Sequence, residues 1–217
     1  GGRVHVTSMA NSSSQNPQWV LDLETGSFLN QMKFASQWTD FNQPAADDAD
    51  VYVAAGTSGS VLYGYDAAAG TKVWETTRDG GAVWGGQSLG LDDRYAYYYS
   101  GVAIDRFERS SGTLAGSIAD PDYTPRTYDY EAGPVLDSNG KVYFFSGDKG
   151  FFSSNKIVAA SFGSKQILWR TSAEYSTAFA LRNSVIYAVR QDARVLSAIN
   201  TENGQVLWSA QLPPAEK

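Results

Sequence analysis

The side chains best suited to grip a ligand are aromatic, cationic and amide groups gathered in four stretches. They are Trp38 and Asn42 with Asp40 between them; Arg78, Asp79, Trp84 and Gln87; Arg126, Tyr128, Asp129, Tyr130 and Glu131; and Glu174 with Tyr175. Indole and phenol rings can stack on a planar cofactor or a sugar, while guanidinium, carboxylate and amide groups fix orientation through directional hydrogen bonds. Ordinary loop polarity and packing use the same residue types, so the pattern by itself names no reaction. A second group, Asp47, Asp48 and Asp50, offers hard oxygen ligands of the kind calcium takes. It lacks the glycine and terminal glutamate of a calcium loop, and a solvated turn accounts for it better.

Other chemistry is excluded by composition. The chain of 217 residues has no cysteine and a single histidine, His5. Disulfide scaffolds, thiol nucleophiles, thiolate-held metals and multi-histidine metal sites are therefore ruled out. A formal net charge of −6 disfavours nonspecific phosphate-backbone contact, so nucleic acid is not an expected partner. No apolar run reaches the roughly 18 residues of a membrane-spanning helix, and no segment has the pattern of a signal peptide. Aromatic residues make up 13% of the chain and charged residues only 18%, against roughly 25% charged in an average globular protein. That aromatic excess needs a structural explanation.

The elements that must position these residues emerge from an internal repeat. Leu196 to Trp208 and Leu62 to Trp74 share one form: an apolar run, Asn200 or Asp66, then Gly204 or Gly70, then Trp208 or Trp74. Trp19 to Asn30 keeps Asp22, Thr25 and Gly26 but has Asn30 in place of the tryptophan. Phe107 to Leu114 keeps Gly112, and Ile157 to Trp169 keeps the tryptophan with Lys165 at the glycine position. The anchors at 26, 70, 112, 165 and 204 are spaced 44, 42, 53 and 39 residues apart. Each copy reads as a hairpin, in which Asp or Asn caps a tight turn and glycine supplies a positive φ.

Two further strand candidates precede each of the later hairpins. They are Pro44–Asp47 and Val51–Ala55; Trp84–Leu91 and Tyr95–Tyr99; Gly133–Asp137 and Lys141–Ser146; Thr177–Leu181 and Val185–Val189. Four short antiparallel strands in each unit of about 45 residues mark a propeller blade. The tyrosines at 95, 97, 98 and 99 form either a sticky patch or a strand buried on both faces. The recurrent Trp74, Trp169 and Trp208 are expected to pack between blades rather than to bind a ligand.

No tryptophan is followed by aspartate and no glycine by histidine, which disfavours a WD propeller. The glycine pairs fall outside the second strands, which disfavours a kelch propeller. The hairpin instead resembles the quinoprotein-type (PQQ-like) repeat, Ala-x-Asp/Asn-x-x-Thr-Gly-x-x-x-Trp, matched by Asn200, Gly204 and Trp208, by Asp66, Gly70 and Trp74, and by Asp22, Thr25 and Gly26. Gly81 to Ser88 is similar to that family's inner-strand entry. The expectation is an all-β propeller of about five four-stranded antiparallel blades, with approximate bounds 1–36, 37–78, 79–120, 121–172 and 173–212.

The first blade reads as incomplete, with Arg3–Ser8, Trp19–Leu23 and Phe28–Phe34 as its strands and no innermost one. An unpaired ladder edge invites pairing, so a protein partner or the remainder of a seven- or eight-bladed ring is expected to complete it. The resemblance implies a non-catalytic scaffold for protein interaction or ligand binding outside the cytoplasm (secreted, periplasmic or at the cell surface). Its alternatives are a portion of a PQQ- and calcium-dependent alcohol or sugar dehydrogenase, and a carbohydrate-binding propeller. In the dehydrogenases a calcium ion and a catalytic Asp sit beneath a stacked quinone, and many carry an adjacent-cysteine disulfide. This chain has no cysteine and no matching ligand motif, so no cofactor is expected under the leading reading. Phe151 and Phe152, in the longest insertion, are candidate partner contacts.

Overall fold

A computed structural model describes residues 2–7, 16–35, 43–55, 61–77, 88–122, 133–146, 155–176, 178–190 and 193–214. The described residues contain strands and turns but no helix. Blade one comprises β1 (Arg3–Thr7), β2 (Asn16–Asp22) and β3 (Phe28–Phe34). Blade two comprises β4 (Ala45–Ala46), β5 (Asp50–Ala55), β6 (Val61–Asp66) and β7 (Lys72–Thr77). Blade three comprises β8 (Gly90–Leu91), β9 (Tyr95–Tyr99), β10 (Ala103–Glu108) and β11 (Leu114–Ala119). Blade four comprises β12 (Val135–Leu136), β13 (Lys141–Ser146), β14 (Lys156–Ser161) and β15 (Gln166–Arg170). Blade five comprises β16 (Ala180–Arg182), β17 (Val185–Arg190), β18 (Val195–Asn200) and β19 (Val206–Gln211).

Every sheet is an antiparallel meander in sequence order, and among the described residues the first has three strands where the others have four. The all-β succession of antiparallel meander blades expected from the repeat is therefore the architecture found. Inner strands are shorter than the sequence suggested: β8 and β16 hold two and three residues.

The anchor turns are built by the chemistry the repeat implied. Asp22 Oδ1 accepts the amides of Glu24 and Thr25 at 3.1 and 2.8 Å. Asp66 Oδ1 does the same for Ala68 and Ala69 at 2.8 and 2.7 Å, and Asn200 Oδ1 for Glu202 at 2.8 Å. Gly26, Gly70, Gly112 and Gly204 all have φ between 67 and 71°, and Lys165 takes the same left-handed conformation at 57°. A register shift accompanies each turn of blades two to five, between Gly64 and Tyr65, Arg106 and Phe107, Ala159 and Ala160, and Ala198 and Ile199 on the inner partner strand. That bulge sets which face the outer-strand residue four positions after the anchor presents.

Four apolar clusters hold the molecule together, each drawn from two consecutive blades. Val20, Met32 and Phe34 meet Val51, Val53 and Tyr65. Tyr52, Leu62 and Trp74 meet Ala96, Tyr98 and Phe107. Tyr97, Tyr99 and Ile104 meet Val142, Phe144 and Phe162, and Tyr143, Phe145 and Ile157 meet Phe179, Ile186 and Ile199. Strand alternation explains the tyrosine run. Tyr98 faces blade two while Tyr97 and Tyr99 face blade four, so β9 is buried on both sides.

The repeat residue four positions after each anchor locks its blade to the next. Trp74 Nε1 donates to the carbonyl of Arg109 at 2.7 Å, and Trp169 Nε1 to that of Thr201 at 2.9 Å. Both acceptors lie three residues before the next blade's anchor glycine. A Cβ built on Gly112 or Gly204 would sit 2.5 Å from the indole of Trp74 or Trp169. Asn30 replaces the indole in blade one, its Nδ2 donating to Ala68 O at 2.8 Å and Ala67 O at 3.3 Å. Blade three has Gly116 there, and Phe162 of blade four comes to it instead, 3.2 Å from where a Cβ would be.

Inner strands of blades three and four approach through backbone. A Cβ on Gly133 would lie 2.2 Å from Ser88 O, against an atom that cannot rotate away. Gly133→Ala is expected to cost about 1–3 kcal/mol, the range for overpacking. Denaturant unfolding of the variant checks this: a midpoint equal to wild type would show that the two inner strands can separate without loss.

Candidate functional site

Antiparallel pairing puts the ends of the second and fourth strands of each blade on one edge of the arc, and the anchor turns on the other. The connections that carry the sequence's candidate ligand residues leave from the first of these edges. Trp38, Asn42, Arg78, Trp84, Gln87, Arg126, Tyr128, Tyr130 and Glu131 lie outside the described residues, as do Asp40, Asp79, Asp129, Phe151 and Phe152. In the chain, residues 36–42 follow β3, 78–87 follow β7 and 123–132 follow β11.

Tyr175 is described. Its ring is 1% exposed and belongs to the cluster between blades four and five. Its backbone bridges Asn155, with both N···O distances at 2.7 Å. Tyr175 is thus a packing residue beneath this edge.

The described part of the connection edge is organised by a buried carboxylate. Asp120, just after β11, has a side chain with no exposure. It accepts from Tyr99 OH at 2.6 Å, from Arg170 Nη2 at 2.7 Å, and from Ser146 Oγ at closer range. Arg170 also donates to Ser146 Oγ at 2.8 Å and pairs with Asp122 at 3.1 Å. Burial pushes the Asp120 carboxyl up, but the bonds from Ser146, Tyr99 and Arg170 outweigh it and hold the group below its ordinary value of 3.8. The site therefore holds an ionised, fully bonded carboxylate. It joins blade three to blade four, the joint whose repeat position is Gly116 and so lacks an indole hydrogen bond.

The turn edge carries a matching clamp between blades two and three. Arg109 donates to Tyr52 OH at 3.0 Å and to Asp92 O at 2.7 Å. It pairs with Asp47 at close range and with Asp50 at 3.3 Å, and its guanidinium lies over the Tyr52 ring, 5.4 Å from the centroid. Burial pushes the Tyr52 phenol up to about 12, so it stays protonated. Asp47 and Asp50 are thus counter-ions to Arg109, and Asp47 Oδ1 also caps its own turn through the amides of Ala49 and Asp50. Among the described residues no three His, Cys, Asp or Glu groups are placed to hold a metal ion. A cleft of about 240 Å³ beside this clamp is lined by Gly2, Arg3, His5, Ala46, Asp47 and Asp48. There burial, and then Arg3, depress the His5 pKa.

The sequence pattern does not mark Asp120, Arg170 or Arg109. Arg170 directly follows the repeat Trp169, but 50 residues separate it from Asp120, and 62 separate Arg109 from Asp47. No local spacing reveals such pairs.

The family model described as "Outer membrane protein assembly factor BamB" matches residues 1–210. The chain belongs to this family. Its repeat is the PQQ-like one, and solved structures of similar fold include quinoprotein-type and WD propellers. The crystal structure of BamB from Moraxella catarrhalis aligns with TM-score 0.70 and 12% identity, over 97% of this chain and 61% of that one. The C-terminal WD40 domain of Sif2 aligns with TM-score 0.68 and 12% identity, over 91% and 52%. A europium-containing methanol dehydrogenase aligns with TM-score 0.67 and 12% identity, over 97% and 49%. The chain thus spans about half to three fifths of the structures it resembles, and at this identity the likeness is one of fold. No curated protein sequence matches it. No helix of the described residues is long and apolar enough to cross a membrane.

Proposed function

We propose that this chain is a protein-interaction scaffold of outer-membrane protein assembly, working outside the cytoplasm, with the connection edge as its contact surface. The observation that carries this reading is the match of an assembly-factor family model to residues 1–210. The geometry supports it: Arg109, Arg170, Asp47, Asp50 and Asp120 each tie one blade to another. These ion pairs tie consecutive blades together and leave recognition to the residues of the connections. Trp38, Trp84, Arg126 and Tyr128 are the contact residues we assign, because large aromatics and arginine dominate interface energetics.

The dehydrogenase reading has a fold-level likeness behind it. Among the described residues, however, Asp47 and Asp50 are already paired with Arg109, and no group of three His, Cys, Asp or Glu is placed to hold a metal ion.

The test is co-purification from the native envelope with in-cell crosslinking. A defined assembly component is expected to be retained by wild type and lost, by about tenfold or more, in a Trp84→Ala/Arg126→Ala variant of unchanged thermal midpoint. Dye reduction that depends on added PQQ, calcium and an alcohol would overturn the reading in favour of the enzyme. Saturable binding on a glycan array, with no retained protein, would favour the carbohydrate reading.

A further inference from the structure

The face that blade one turns to blade two departs from the repeat at three positions. Tyr52, Tyr97, Tyr143 and Tyr187 share one position in blades two to five, opposite Gly64, Arg106, Ala159 and Ala198. Blade one has His5 there, opposite Val20. Each tyrosine packs on an aromatic ring, Trp74, Phe162, Trp169 or Trp208, with centroids 5.5–6.1 Å apart. In blades two to four its hydroxyl also donates to an aspartate, Asp50, Asp92 or Asp137, at 2.6–2.9 Å. The imidazole of His5 is shorter than a phenol, and Asn30 stands where the repeat has tryptophan. Gln18, two residues before Val20, replaces Leu62, Ile104, Ile157 and Leu196.

These exchanges put polar atoms where the other joints are apolar. His5 Nδ1, Asn30 Oδ1 and both amide atoms of Gln18 are buried without a hydrogen-bond partner. Gln18 is 0% exposed and, by strand alternation, shares its face with His5. Such groups cost stability unless something bonds them. The cleft of about 240 Å³ opens at this same joint, with Gly2, Arg3 and His5 from blade one and Ala46, Asp47 and Asp48 from blade two. Arg3 Nη1 crosses it to donate to Asp48 O at 3.0 Å. Asp47 is already paired with Arg109, so the remaining charges, Arg3 and Asp48, cancel. Burial, and then Arg3, keep the His5 ring neutral at pH 7.

We propose that this cleft binds one ring of an uncharged polyhydroxylated ligand, a monosaccharide or cyclic polyol. A hydroxyl both donates and accepts. It can donate to the Asp48 carboxylate or to the unprotonated imidazole nitrogen and accept from the Arg3 guanidinium, so adjacent hydroxyls satisfy both walls at once. A phosphate or carboxylate would face Asp48, and an ammonium group would face Arg3; neither suits a lining without net charge. The volume lies below the roughly 300–1,000 Å³ of pockets for drug-sized ligands, which limits the occupant to a single ring. The cleft is on the turn edge, and the contact surface for an assembly partner is on the connection edge. Either can fail without the other.

His5 is the single histidine, so its ring nitrogens report on the cleft without overlap in an NMR titration. Glucose or myo-inositol is expected to shift them saturably, with a Kd on the order of 1 mM for a ligand of this size. His5→Tyr restores the repeat residue. It is expected to keep or raise the thermal midpoint and to weaken binding about tenfold or more by calorimetry. Binding of glucose but not of its methyl glycoside assigns a free sugar, and binding of both assigns the end of a glycan; each supports the proposal. Sodium phosphate and ethylammonium chloride are the charged probes. The proposal is overturned if neither glucose nor myo-inositol moves the His5 resonances, or if a charged probe moves them at lower concentration. It is also overturned if His5→Tyr binds glucose as tightly as wild type. The wild-type titration needs no variant, so a failure of His5→Tyr to fold leaves the test intact.

Discussion

Replacing Trp74 with alanine is expected to remove about 3–5 kcal/mol of stability, the usual range for a buried aromatic lost from a core. Three contributions act together. The indole is 8% exposed and packs on Tyr52, so its removal opens a cavity between blades two and three. Gly64 and Gly112 flank the ring, with built Cβ atoms 2.3 and 2.5 Å from it, and neither can fill the space. The part-buried Arg109 carbonyl loses its Trp74 donor at 2.7 Å and keeps only the Tyr52 hydroxyl at 3.5 Å. Trp74→Phe keeps most of the ring and loses the hydrogen bond, so a cost of about 1–2 kcal/mol is expected. Equilibrium denaturation of the three proteins provides the measurement. Equal costs for alanine and phenylalanine would mean that the hydrogen bond, and not the packing, dominates this joint.

The same residue type at the same repeat position predicts opposite sensitivities along the chain. Trp169 is expected to behave as Trp74 does, because it has an acceptor in Thr201 and a glycine surface in Gly204. Trp208 lacks both. Sequence periodicity cannot separate these cases: a repeat motif reports the position in a blade, while the cost of a substitution depends on whether a neighbouring blade is present.

The same division separates what is legible in the residues from what is not. The hairpins are readable because their determinants are local: Asp22, Asp66 and Asn200 bond amides two or three residues ahead, and a positive φ selects glycine. The double-sided burial of β9 is readable as one of two alternatives, because a tyrosine run without polar alternation suits a strand covered on both faces. The polar joints are not readable. Asp47 and Asp50 look like a solvated acidic turn until Arg109, from the next blade, is placed between them. The Phe107 to Leu114 hairpin keeps its turn but is followed by Gly116 where other copies have tryptophan, and Phe162 of the following blade meets that glycine, with the Arg106 guanidinium 4.7 Å from that ring's centroid. Lys165 looks like a loss of the anchor, yet it holds φ at 57° without glycine. The first two of these depend on contacts between blades, which the repeat spacing does not encode. Nine of the ten ligand-binding candidates lie outside the described residues, and the tenth, Tyr175, is buried.

Asp120→Ala is expected to cost about 3–5 kcal/mol, because removing one partner of a buried pair leaves the other charge uncompensated. Arg170 is only 17% exposed, and it would keep Asp122, which is 54% exposed, as a weak substitute. The Tyr99 and Ser146 hydroxyls would lose their acceptor as well. A double variant, Asp120→Ala with Arg170→Met, is expected to cost less than the sum of the single changes, because it removes the stranded charge together with its partner. The pH dependence has a definite sign. The folded-state pKa of Asp120 is held below 3.8, so its contribution is fully present above that ordinary value and is lost as pH falls through the lower folded one. Stability measured from about pH 5 down to about pH 2 should therefore fall less steeply in Asp120→Asn than in wild type, the amide having no proton to take up. Parallel acid limbs for the two proteins would place the acid sensitivity elsewhere and reduce Asp120 to a hydrogen-bond acceptor. Because this joint has Gly116 where others have an indole, the carboxylate should matter more here than a tryptophan's single hydrogen bond matters at its own joint. The larger loss is thus expected from Asp120→Ala when it is set beside Trp74→Phe.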